Sequence, residues 1–140
     1  MKRTILFLIL SAFFVLNACG PKGPSENEVL RDEVIAVHDE VMPKMGNLKS
    51  LERRSLDIVE ELESENPQDS TKIQQYKALA YDLNHAHEAM FQWMRQYTKS
   101  LDTQMSKEEE KVFLDEQMKL VSEVNVEIKE ALAKADELLK

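Results

Sequence analysis

The chain has 140 residues, with 26 Asp and Glu against 18 Lys and Arg, a formal charge of −8 and a single cysteine. That excess of acid excludes nucleic-acid binding through phosphates, which needs clustered Lys and Arg, and excludes charge-driven adhesion to anionic lipid. One cysteine permits no internal disulfide and no site built from several thiolates.

The first predicted element is a signal. Lys2 and Arg3 precede an apolar run from Ile5 to Leu16, too short for the ~20 residues a spanning helix needs but right for a secretory signal. The run ends in L-N-A-C, Leu16 to Cys19. Here the chain resembles bacterial lipoproteins, whose lipobox has Leu three residues before the Cys and a small residue directly before it. The resemblance implies cleavage before Cys19, a diacylglycerol on its sulfur and an acyl group on the new amino terminus. Several acyl chains make a stable anchor where one would be marginal. Gly20, where enteric lipoproteins retained in the inner membrane have aspartate, points by the same resemblance to the outer membrane.

On this plan residues 1–18 are a signal peptide, and residues 19–25 are the lipidated Cys and a flexible Gly/Pro tether. Residues 26–140 form one domain. Losing the signal removes Lys2 and Arg3 and moves the charge from −8 to −10, leaving 122 residues, enough for a single core.

Ser25 and Glu28 then form a capping box, and Leu30, Val34, Val37, Val41, Met45 and Leu48 recur at three- and four-residue steps. That spacing predicts a first helix over 26–64. Within it lies H-D-E-V-M-P-K-M-G, His38 to Gly46. Pro43 removes one backbone bond and crowds the Asp39 carbonyl, at about 3 kcal/mol. A near-continuous helix bent there matches the length of its neighbour better than two short rods would.

The turn E-N-P-Q-D-S opens a second helix over 68–102, with a seam of Ile73, Tyr76, Ala80, Leu83, His87, Met90, Met94, Tyr97 and Leu101. A second capping box, Ser106 and Glu109, opens a third over 106–139. Its seam is Leu114, Gln117, Val121, Val124, Ile128, Ala131, Ala135 and Leu138. The expected fold is all-α: an elongated antiparallel three-helix bundle, first helix kinked near Pro43.

An antiparallel turn centred near residue 66 sets Met42 opposite Phe91 and Met45 opposite Glu88. His38, Met42 and Met45 therefore fall level with His87, Met90 and Met94, and Met118 is near the same layer. Methionine on an apolar stripe commonly fills irregular space, such as that beside a kink. The other possibility is a soft-ligand site for Cu(I), built from His87, Met90 and Met42 with His38 or Met45 completing the shell. Axial His/Met ligation of a haem is a variant. His85 points away from His87 and is expected to pair at the surface with Asp82 or Glu88. Trp93 lies off the seam, so it either packs under the third helix or marks a protein-contact surface with Phe91 and Tyr97.

No Ser/His/Asp arrangement, nucleotide loop, haem-attachment motif or EF-hand occurs, and Asp82-x-x-His85 is half of a di-iron motif whose other parts are missing. H-D-E-V-M-P-K-M and D-L-N-H-A-H-E-A-M-F-Q-W-M resemble stretches of small helical lipoproteins of Gram-negative envelopes. Some of those are labelled as similar to a viral A-type inclusion protein, which reflects coiled-coil character and brings no catalytic residue. The expected function is non-enzymatic: a lipid-anchored helical envelope module that binds or spaces an unidentified envelope protein. A Cu(I) or haem binder is the alternative.

Overall fold

Three of the four helices start where the sequence supplies a side-chain acceptor for the unpaired first-turn amides. The computed structural model describes residues 23–65, 69–101 and 104–140; the signal segment and Cys19 lie outside them. Helix α1 (Glu26–Val41) is capped by Ser25, whose Oγ accepts from the Glu28 amide at 3.3 Å while Glu28 Oε2 accepts from the Ser25 amide at 2.6 Å. A single 3-10 turn (Met42–Lys44) joins α1 to α2 (Met45–Ser64). Helix α3 (Ser70–Leu101) is capped by Asp69, which accepts from the Lys72 amide at 3.1 Å. Helix α4 (Lys107–Leu138) repeats the reciprocal box with Ser106 and Glu109. Its far end is closed by Tyr76, whose hydroxyl donates to the Leu138 carbonyl at 3.1 Å.

The described residues form the antiparallel three-helix bundle that the periodicity predicts. The register also matches, since Lys49 Nζ donates to Asn84 Oδ1 at 3.1 Å, and nearer the turn the long side chain of Lys77 reaches Glu63 Oε1 at 2.6 Å. One core runs the length of the rod, from Val34, Val41 and Leu48 through Leu79, Leu83 and Met90 to Leu114, Val121 and Ile128. Truncating a buried leucine such as Leu83 to alanine in a core of this kind costs about 2–5 kcal/mol.

Two seams differ from expectation. On α4 Asn125 is buried where Val124 is expected, and Leu139, just past the helix, where Leu138 is; Val124 and Leu138 are only half-buried at the edge. On α3 the stripe is wider than a heptad seam. Leu79, Ala86 and Trp93 are buried on one edge, while His87 and Met94 are half-buried on the other. Helix α3 is contacted on two sides, by α2 and by α4, so it buries a broad arc and not a narrow line.

Pro43 bends the rod without breaking it. The Met42 amide still donates to the His38 carbonyl, and the Met45 amide donates to the Met42 carbonyl, tightening the helix for one turn. The bend redirects the rod: α1 packs mainly on α4, and α2 mainly on α3. Gly46 sits just beyond it in ordinary helix, and an added Cβ there would meet nothing within 4 Å. Gly46→Ala should therefore stabilise the protein by about 0.5–1 kcal/mol through backbone entropy alone. Thermal unfolding should shift up by a few degrees; a downward shift would mean that the glycine serves a contact.

Candidate functional site

The His/Met layer is the first candidate. His38 is largely buried, its ring 5.6 Å from that of Trp93 and its Nδ1 at 2.8 Å from Asp39 Oδ1. Its Nε2 is buried and has no hydrogen-bond partner. His87 sits apart, its ring 4.8 Å from Phe91 and its Nδ1 at 3.4 Å from Glu88. Trp93 and Phe91 are thus the separate aromatic neighbours of the two imidazoles. Met45 and Met90 are buried in the core, and Met42, Met94 and Met118 pack partly buried against it. Among the described residues no group of three or more His, Cys, Asp or Glu could hold a metal ion.

The aromatic trio does not form an exposed patch. Trp93 is 4% and Tyr97 6% exposed, and Phe91 is half-buried against the core. Trp93 stacks on Tyr97 at 5.0 Å, and Tyr97 stacks on Phe113 at 5.9 Å, so these rings line the interior of the α1–α3–α4 half of the rod. Of the two placements open to Trp93, the packed one is found, because α4 covers that edge of α3. Burial raises the Tyr97 phenol above its ordinary value.

A polar clamp that the periodicity did not reveal holds α1 to α4. Asn125 Nδ2 donates to the Val37 carbonyl at 2.9 Å and to Glu40 Oε2 at 3.0 Å, and Lys129 Nζ lies 2.6 Å from Glu40 Oε1. Nearer the amino terminus, Asn27 donates to the Lys107 carbonyl at 2.9 Å and to Glu110 Oε2 at 2.8 Å. Arg31 also bonds Glu110, and Lys111 bonds Glu26. The available sequence signal was a polar residue, Asn125, four after Val121 and three before Ile128.

The exposed side of the α3–α4 pair carries the remaining polar groups. His85 pairs across to Glu127 at 3.6 Å and stacks on Tyr81 at 5.9 Å, while Asp82 bonds Lys134. The partners expected for His85, Asp82 and Glu88, lie on its own helix; the neighbouring helix supplies the carboxylate that is met. Among the described residues no helix is long and apolar enough to cross a membrane.

Comparison with protein-family models, with curated proteins and with solved structures gives no match.

Three carboxyls are held below their ordinary value of 4.5: Glu28 and Glu109 by their bonds to Ser25 and Ser106, and Glu40 by Lys129 and Asn125. A depressed carboxyl contributes stability that is present above the unfolded-state value and is lost as pH falls through the folded one. Thermal stability should therefore decline as pH drops below about 4.5. Glu40→Gln should flatten that decline, measured by melting curves between pH 7 and pH 3; an unchanged slope would contradict the clamp.

Proposed function

We propose that this protein is a non-enzymatic, lipid-anchored helical module of the bacterial cell envelope, held at the membrane by acylated Cys19 and carrying a rigid interaction rod. The observation that most supports it is the cross-bonding at one end of the bundle. Ser25 lies only six residues after Cys19. The first turns of α1 are tied to the start of α4 by Asn27, Arg31 and Glu26. A tether pulling at Ser25 would load the part of α1 that is most heavily fastened. Helices of 32 residues span about 48 Å, so the opposite end would stand well clear of the lipid. The outer membrane is the compartment that Gly20 favours.

Lipidation is tested directly. Mass analysis of the membrane fraction should show a chain that begins at acylated Cys19, and Cys19→Ala should stay unprocessed. A soluble product cut elsewhere would overturn the anchor.

A second reading, a soft-metal site for Cu(I), is favoured by one observation. A histidine that ligates a metal through Nε2 commonly has a carboxylate at Nδ1, and His38 Nδ1 lies 2.8 Å from Asp39 Oδ1. Met42 follows one turn later and Met45 two, and thioethers suit Cu(I). On this reading His38, Met42 and Met45 supply the ligands, in place of a shell led by His87. Cu(I) titrated against a competing chelator should bind the wild type at least about tenfold tighter than His38→Leu with Met42→Leu, while His87→Leu should retain binding. Equal affinity for all three would leave the layer as packing.

A further inference from the structure

The face of the bundle opposite the first rod is a groove lined by α3 and α4 alone, in two stretches that share His85 and Glu127. It runs from Tyr81 to Gln96 on α3 and from Leu120 to Lys134 on α4, a length of about 20 Å, or four turns of helix. Its floor is apolar, with Ala86, Ala131 and Trp93 buried and Ala89, Leu120 and Val124 half-buried. Alanines at the bottom let a further helix axis approach closely, where longer side chains would hold it off. At one end stands Tyr81, 69% exposed, the most exposed large apolar side chain among the described residues.

The rim is strongly acidic. Asp82, Glu88, Glu123, Glu127 and Glu130 line the two stretches, and the one Lys or Arg among the lining residues, Lys134, is already bonded to Asp82. Among the described residues Glu123 and Glu130 have no cationic partner. A second copy would bring this same acidic face to itself, and anionic lipid would be repelled. Charge complementarity instead selects a cationic occupant, and the concave apolar floor selects one with an apolar side.

We propose that the α3–α4 groove docks a basic amphipathic helix of about 14 residues from a partner protein, as the fourth helix of the bundle. Its apolar stripe lies on Ala86, Ala131 and Val124, and its Lys or Arg flanks meet Glu123, Glu127 and Glu130. This rests on the interaction-module reading and specifies its partner, but it does not depend on lipidation.

The test uses the full chain in nanodiscs of zwitterionic lipid, with empty nanodiscs as the blank. The probe is a synthetic helical peptide with Leu and Ala on one face and Lys on the other, and its counterpart with Glu for Lys. Affinity is read by calorimetry at two salt concentrations. The Lys peptide should bind and weaken with salt, and the Glu peptide should not bind. Reversing Glu123, Glu127 and Glu130 to Lys should weaken binding by at least about tenfold. Reversing Asp32, Glu33 and Glu60, exposed on the first rod, should change it by no more than about twofold. Tyr81→Ala, which removes no core contact, should also weaken binding with helicity unchanged. Equal losses in the two reversed variants would show a response to net charge alone and overturn the proposal. So would binding of both peptides alike, or self-association of the unmodified protein that the groove reversal abolishes. A failed peptide test beside a correctly acylated Cys19 would remove the groove and leave the anchor standing.

Discussion

Midway along the first rod, its position on α4 is set by one buried amide. Asn125 is inside the bundle, where an unpaired polar group would cost about 1–3 kcal/mol. It meets that cost with two bonds to α1, one to the Val37 carbonyl and one to Glu40. The other buried polar side chains do less to specify the fold. Ser55 bonds the Leu51 carbonyl of its own helix, and Gln117 Oε1 has no hydrogen-bond partner. A hydrophobic contact tolerates a slide of one residue. A donor aimed at one carbonyl and one carboxylate does not, so Asn125 sets the register of α1 on α4 much as a buried asparagine does in a coiled coil.

The bend that Pro43 introduces falls just beyond this clamp. The bonded residues, Val37 and Glu40, lie five and two residues before Met42, so α1 is fixed on α4 up to the 3-10 turn. Beyond the turn, α2 lies on α3, joined by Lys49–Asn84 and Lys77–Glu63. The later half of α4 is then covered chiefly by α3, through Tyr76 on Leu138 and Asp82 on Lys134. The far face of the α3–α4 pair is left uncovered along four turns, which is why a groove with an alanine floor exists in so small a bundle. The bonded end of α1 near Ser25 and the α3–α4 groove therefore fall on different parts of the same rod.

Much of this was legible in the sequence. Ser25–Glu28 and Ser106–Glu109 are local devices, and each acts within one turn wherever the rest of the chain goes. The antiparallel register followed from the turn position, and Lys49 opposite Asn84 matches it. Pro43 was readable as a bend because the two pieces it separates add up to a neighbour's length. The direction of the bend was not readable, since it depends on which of two helices each half packs against. Asn125 is hidden from a heptad template, which prefers the apolar residue, Val124, of the adjacent pair. Trp93 and Tyr97 were not assignable to a surface or a core until α4 was in place over that edge of α3. For His85, spacing shows only the carboxylates of its own helix, whereas Glu127 is brought near by packing alone.

The central claim, that Asn125 fixes the first rod, is tested most directly by native-state hydrogen exchange of Asn125→Ala against the wild type. Loss of about 1–1.5 kcal/mol of specific bonding predicts exchange about five- to tenfold faster in α1, greatest near Val37 to Val41, with α2 and the facing half of α3 little changed. A uniform increase through all the helices, or no change in α1, would mean that the amide is only one packing contact among many.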